Sequence, residues 1–381
     1  MPMDTVDVCI IGGGMAGASI AWHLAPHASV ALLEREPHAG YHSTGRSAAL
    51  FSPNYCSRLV QQLTLAAQPF LEAPPEGFTA APLLRARGYL MIGRDAQIAE
   101  RAQYENEAAA AGLTTTRLTT LQARELVPVL RTEAFDWAVL DANACDLDVD
   151  ALLQGFLRGA RAHGSRWSGS HEVTALSRDG ALWRIRGTTR GDDFELRSRV
   201  VVNAAGAWAD GLAQLAGVAP LGLVPHRRTA FIFDAPAGIE TAHWPMVADA
   251  DELFYFKPDA GRLLGSLGEE VPSSPVDAQP DDFDVATAVD RIEQVIDFPV
   301  QRVLRSWTGL RVFGPDRDPV SGFDLAAPGF YWHAALGGYG IQTAAGIGAF
   351  AAATILGREL PAALAAQQLT SEQLSPQRLR H

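Results

Sequence analysis

The chain opens on an apolar run, Val6-Asp7-Val8-Cys9-Ile10-Ile11, which stops at Gly12-Gly13-Gly14-Met15-Ala16-Gly17 and gives way to a helix-forming stretch. A short apolar run bounded by glycines predicts a buried strand, so the order reads strand, turn, helix. A second run, Val30-Ala31-Leu32-Leu33, predicts a parallel neighbour and ends on Glu34. Gly88 to Gly93 predicts a strand, Ala96 to Ala111 an amphipathic helix, and Asp148 to Ala162 a further helix. Short strands fill Ser170 to Arg199, with turns at Gly180 and Gly191-Asp192. Val200 to Trp208 reads as a buried strand ending on small residues, which let a flat ligand approach the backbone. From Leu221 to Phe313 the pattern becomes antiparallel, with strands at Arg228 to Phe233, Phe254 to Phe256 and Arg262 to Gly265 and a helix near Asp284 to Ile296. The last part repeats the opening pattern, with a strand over Phe330 to Ala335, a turn over Gly337 to Gly340, and a buried helix from Ala344 to Leu356. The fold class expected is α/β, a Rossmann-like domain made of 1–80, 146–218 and 318–381. An α+β, antiparallel-sheet domain for the substrate, made of 81–145 and 219–317, is inserted into it.

With 381 residues, two domains are expected. Net charge of −12 opposes nucleic-acid binding, because phosphate neutralisation needs clustered Lys and Arg. Met1-Pro2-Met3-Asp4 lacks a cationic leader region, and no apolar segment reaches the ~20 residues of a membrane span, so a cytoplasmic protein is expected. Cys9, Cys56 and Cys145 are widely spaced and the ten histidines show no HExxH pattern, so neither disulfides nor a metal are expected.

The glycine spacing carries the first chemistry. Gly12 permits the tight turn, Gly14 lets a pyrophosphate approach the backbone, Gly17 lets the helix pack closely, and the helix N-terminus offers oriented N–H groups. Glu34, about 20 residues on, would accept hydrogen bonds from the adenosine ribose and disfavours a 2′-phosphate. The loop Gly40 to Ala49, expected to enter a small-residue helix, reads either as an ordinary polar loop or as a second phosphate element. In the latter case Ser43, Thr44, Ser47 and the Arg46 guanidinium would contact the cofactor.

Taken together, GYHSTGRSAA, VVNAAGAWAD, FYFKPDAG, WTGLR and GGYGIQT resemble the D-amino-acid oxidase superfamily, and among its members the chain is most similar to bacterial D-arginine dehydrogenase. The resemblance implies FAD and a nucleotide domain of the glutathione-reductase type, and with no cysteine near Gly337-Gly338 or the second phosphate loop the FAD is expected to be held non-covalently. His42 and His333 keep covalent attachment open. Further cofactor contacts implied are Arg35, Ala48, Val173, Ala205, Gly206, Trp208, Gly337, Gly338, Tyr339, Gly340, Ile341 and Gln342. Arg228 and Arg311 match two arginines that hold a substrate α-carboxylate. Tyr55 and Tyr255 match tyrosines beside it, and Gly338 matches a glycine whose carbonyl accepts from the amine. Each tyrosine also fits a core aromatic, and Arg228 a surface charge.

Two positions depart from that enzyme. Leu50 stands where it has a histidine near the reacting centre, and Tyr89 where it has the glutamate that pairs with the arginine side chain. The pocket expected around Leu50, Tyr55, Tyr89 and Tyr255 is apolar and aromatic. The reaction implied is oxidative deamination of neutral, apolar or aromatic D-amino acids to 2-oxo acids and ammonia, by hydride transfer from Cα to flavin N5. Oxygen or an external carrier would be the acceptor. A sarcosine or glycine oxidase on the same scaffold and a non-catalytic flavin sensor are the alternatives.

Overall fold

A computed structural model of the protein describes residues 4–380, so Met1 to Met3, part of the expectation of no leader, lie outside the described residues. The apolar opening run is the strand Asp4–Ile11, central in an eight-stranded sheet. It pairs in parallel with Val30–Leu33 on one side and with Asp192–Asn203 on the other. Phe330–Ala334 adds a further parallel pair at the end of Asp192–Asn203. All four positions of Val30–Leu33 and all five of Phe330–Ala334 are buried, as strands covered on both faces require.

The helix Met15–Leu24 covers this sheet and is itself covered by Val149–Ala162 and Ala344–Leu356. Small residues make that stacking close. A Cβ on Gly17 would fall 2.0 Å from the Gly12 carbonyl oxygen, and one on Gly348 2.7 Å from Ser19 Oγ. Gly12 has φ of +113°, and a Cβ there would meet the Ala204 carbonyl oxygen at 2.2 Å, so no other residue fits that turn.

A nine-stranded sheet draws on Tyr89–Gly93, Thr116–Leu118 and Trp137–Asp141 from the first half of the chain, and on strands between Val224 and Phe313 from the second. Its pairings are antiparallel except that of Met246–Asp249 with Tyr89–Gly93, which is parallel. Val303–Phe313, an 11-residue strand, lies beside Val224–Phe233 over nearly its whole length. The helix expected after Gly40 does not form. Thr44–Arg46 makes one 3-10 turn, Ser47 is extended, and Leu50–Phe51 pairs with Cys145–Leu147 in a small third sheet. The first helix after it starts at Arg58, capped by the Ser57 hydroxyl. Among the described residues no helix is long and apolar enough to cross a membrane.

Candidate active site

A cleft of about 490 Å³ runs between the two large sheets. At one end stand Gly12, Gly14, Glu34 and Arg35, at the carboxyl ends of the first two parallel strands, where open α/β sheets bind ligands. Glu34 is already oriented: its Oε2 accepts from the Gly13 N–H at 2.7 Å and its Oε1 from the Glu36 N–H at 2.8 Å. Gly14 differs from its neighbours. A Cβ there would meet only Thr44 Oγ1, at 3.2 Å, so the space in front of the helix N-terminus is open to a ligand. Arg35 stacks over Trp208 at 4.3 Å and His42 packs on the same ring at 4.6 Å, forming a cationic and aromatic wall. Val173, Ala205, Gly206, Ala48, Gly337, Gly340 and Ile341 line the same cleft.

The second loop also lines it, with its polar groups partly committed elsewhere. Thr44 Oγ1 accepts from the Met15 N–H at 3.0 Å, Ser43 Oγ donates to the Leu310 carbonyl at 2.7 Å, and Ser47 Oγ accepts from the Ala49 N–H at 3.2 Å. Arg46 lines the cleft with its guanidinium engaged by the second sheet. It pairs with Asp277 and donates to the carbonyls of Ala278 at 2.9 Å and Thr308 at 3.0 Å, tying the loop to the second sheet. Tyr339 and Gln342 also turn away. The Tyr339 hydroxyl donates to the Arg317 carbonyl, while Gln342 accepts from the Ser52 N–H at 2.9 Å and donates to Thr64 Oγ1 at 3.0 Å.

At the far end, strand register puts the substrate candidates on one sheet face. Arg228 lies opposite Gly309, and Arg311 is two residues further on, hence on the same side. Tyr255 pairs with Ser266, which pairs with Ala230, two residues from Arg228. Arg228, Ala230, Tyr255, Gly309 and Arg311 accordingly all line the cleft. Across it stands Gly338, where a Cβ would lie 2.8 Å from Arg311 Cζ, so the guanidinium rests directly on the glycine backbone. Arg311 donates to the Tyr55 hydroxyl at 3.3 Å, and among the described residues no carboxylate lies within ion-pair distance of it. Arg228, 7% exposed, donates to the Glu269 carbonyl at 2.8 Å and lies 3.5 Å from Glu270 Oε1. Burial pushes the Tyr55 hydroxyl well above its ordinary pKa, so it stays protonated and able to donate.

Leu50 and Tyr89 are half-buried but line neither this cleft nor the cavity beside it; Tyr89 stacks on Tyr104 at 5.7 Å. Of the pocket expected from the sequence, Tyr255 lines the cleft and Tyr55 lines a second cavity, of about 600 Å³. It shares Arg228 with the cleft and is lined by Glu100, Asp251, Glu252, Glu270 and Arg317 as well as Tyr55, Phe313 and Tyr339. Its acids come from three separate segments, so no local pattern announces them. The sequence signals are two acidic doublets, Asp251-Glu252 and Glu269-Glu270, the second just after the strand Arg262–Ser266. Among the described residues no group of His, Cys, Asp or Glu could hold a metal ion.

The cleft fits a bound dinucleotide: an open glycine at a helix N-terminus, a preset carboxylate at the ribose position and a stacking wall. The family profile DAO, FAD dependent oxidoreductase, matches residues 7–354. The chain is 25% identical over 400 residues to the FAD-dependent oxidoreductase domain-containing protein 1 of Bos taurus, covering 93% of this chain and 82% of that one. It is 27% identical to glycerol-3-phosphate dehydrogenase 1 of Mycobacterium tuberculosis, covering 80% of this chain and 62% of the relative's length. Among solved structures, glycine oxidase from Geobacillus kaustophilus superposes with a TM-score of 0.82 at 22% identity, covering 93% of this chain and 96% of the other. L-alpha-glycerophosphate oxidase from Mycoplasma pneumoniae, with FAD bound, superposes with a TM-score of 0.83 at 16% identity, covering 94% and 96%. With its glycine loop, preset Glu34 and two-sheet cleft, the chain belongs to the DAO family of FAD-dependent oxidoreductases.

Proposed function

We propose that the protein oxidises D-amino acids to 2-oxo acids and ammonia, with Arg311 and Arg228 clamping the α-carboxylate. The observation that carries this reading is Arg311: a guanidinium facing the cleft, braced by Tyr55 and Gly338, with no carboxylate partner of its own among the described residues. An unpaired cation held in a protein interior is costly, and a planar guanidinium is matched by a carboxylate through two parallel hydrogen bonds. The D configuration is supported by the sequence resemblance.

FAD, when bound, supplies the two-electron acceptor for the α-hydrogen. The protein's own part is orientation. Arg311 and Arg228 fix the carboxylate, and the Tyr255 hydroxyl, free of partners among the described residues, faces the same space. The Gly338 carbonyl is free to accept from the substrate amine. Fixing three points of one small molecule turns the encounter into an effectively unimolecular step. The α-hydrogen leaves with its electron pair, the amine nitrogen gives a proton to solvent, and water converts the imine to the 2-oxo acid and ammonia.

The test is anaerobic absorbance of the purified holoprotein with D-leucine, D-phenylalanine, D-arginine, sarcosine, glycine and glycerol 3-phosphate, each added separately. Bleaching by D-amino acids is the expected result. Bleaching by glycine or sarcosine alone would move the assignment to a glycine-type oxidase. Bleaching by glycerol 3-phosphate alone would rule out an amino-acid substrate, and no bleaching at all would favour a flavin sensor.

A further inference from the structure

The clamp contains two guanidinium groups, and one of them, Arg228, is ion-paired with a carboxylate of the protein. Glu270 Oε1 lies 3.5 Å from Arg228, and its Oε2 lies 2.7 Å from Arg317. Arg228 is 7% exposed and Arg317 53% exposed, so the Arg317 charge is screened by solvent far more than that of Arg228. Arg317 thereby acts as an outer tether that keeps Glu270 beside the inner arginine. Within the clamp Arg228 is thus ion-paired and Arg311 is not, among the described residues, and Glu269, whose backbone carbonyl accepts from Arg228, places a further carboxylate nearby.

The geometry points to Glu270 as a specificity-determining residue: it occupies Arg228 so that the site accepts substrates with one carboxylate and rejects those with a second anionic group. This rests on the carboxylate-clamp reading above. A second carboxylate or a phosphate would have to displace Glu270 from Arg228. That obstacle does not face a monocarboxylate, which meets Arg311, unpaired among the described residues, first. Glu270 touches Arg228 and no reacting atom, so its effect belongs to binding selectivity rather than to the chemical step.

The experiment uses two acids of equal carbon number, propionate and malonate, titrated into wild-type, Glu270→Gln and Glu252→Gln holoproteins, with perturbation of the flavin absorbance as the readout. Glutamine keeps the size of the side chain and removes the charge. In Glu270→Gln, malonate binding tightens by about tenfold or more, equivalent to ~1.4 kcal/mol, while propionate changes by about twofold or less. Glu252→Gln, which alters the field of the same cavity without touching Arg228, leaves the malonate-to-propionate ratio within about twofold of wild type. An unchanged ratio in Glu270→Gln overturns the inference while leaving the clamp intact. An equal shift in Glu252→Gln overturns it too, by showing a diffuse field effect. If neither acid perturbs the wild-type flavin, the clamp itself is wrong, and this inference falls with it.

Discussion

Replacing Gly338 with alanine separates the clamp from the fold. Position 338 has no positive φ, so alanine is allowed by the backbone, and the three atoms nearest the new Cβ all belong to the Arg311 guanidinium: Cζ at 2.8 Å, Nη1 at 2.9 Å and Nε at 3.0 Å. Ordinary contact begins near 3.4 Å, so the guanidinium must retreat by roughly 0.6 Å. That group is the far end of a flexible side chain, and folding should suffer little: about 1 kcal/mol or less. Catalysis is far more sensitive, because a displacement approaching 1 Å in a positioning group lowers rates by up to about 10²-fold. The expected result for Gly338→Ala is a normal thermal transition and normal FAD content. kcat/KM should fall roughly 10- to 100-fold for the fastest D-amino acid, or about 1.4 to 2.7 kcal/mol of transition-state stabilisation. Stopped-flow flavin reduction under anaerobic conditions, with a thermal melt on the same sample, measures both. Neighbouring Gly337 is the contrast: its φ is +46° and a Cβ would strike Phe313 at 2.5 Å, so Gly337→Ala should lower the melting temperature instead. Wild-type kinetics in Gly338→Ala would show that Arg311 does not hold the substrate.

Other perturbations test other layers. Gly14→Ala should fold, since its Cβ meets only Thr44 Oγ1, yet weaken FAD binding by about tenfold in a fluorescence titration; Gly17→Ala, 2.0 Å from a backbone oxygen, should fail to fold. Asp146 sits between Lys257 Nζ, at 2.8 Å, and Arg87 Nε, at 2.7 Å. Burial alone would raise its carboxyl, but Arg87 and Lys257 outweigh burial and hold it below the ordinary range. That stabilisation is fully present above pH ~4 and is lost as pH falls through the lowered native pKa. Asp146→Asn should therefore lose about 3 kcal/mol at pH 7 by urea denaturation, and the gap to wild type should narrow as pH falls below ~4.

The parts legible in the sequence are those whose chemistry is local. Gly12, Gly14, Gly17 and Glu34 lie within one strand-turn-helix-strand unit, so spacing alone places them. Arg228 and Arg311 are 83 residues apart, yet the alternation of two neighbouring strands puts them on one face. Arg46 reads as a cofactor contact because its loop is polar and glycine-bounded; its pairing with Asp277, 231 residues away, is one that no local pattern reveals. The same separation conceals the acidic cavity: Glu100, Glu252 and Glu270 meet only through sheet topology. Tyr339 and Gln342 share a motif with cleft residues but point elsewhere, Tyr339 toward the second cavity and Gln342 toward Ser52 and Thr64, because a tight turn sends successive side chains in different directions.

The most direct test of the carboxylate clamp is anaerobic flavin reduction by D-amino acids in Arg311→Met beside wild type. Methionine keeps the bulk of the side chain and removes a half-buried charge that has no carboxylate partner among the described residues, so the variant should melt at or near the wild-type temperature with FAD bound. Reduction should saturate with substrate in wild type, and kcat/KM should fall by about 10³-fold in the variant, the effect of losing ~4 kcal/mol of charged hydrogen bonding. A variant that retains FAD and reduces at the wild-type rate would contradict the clamp.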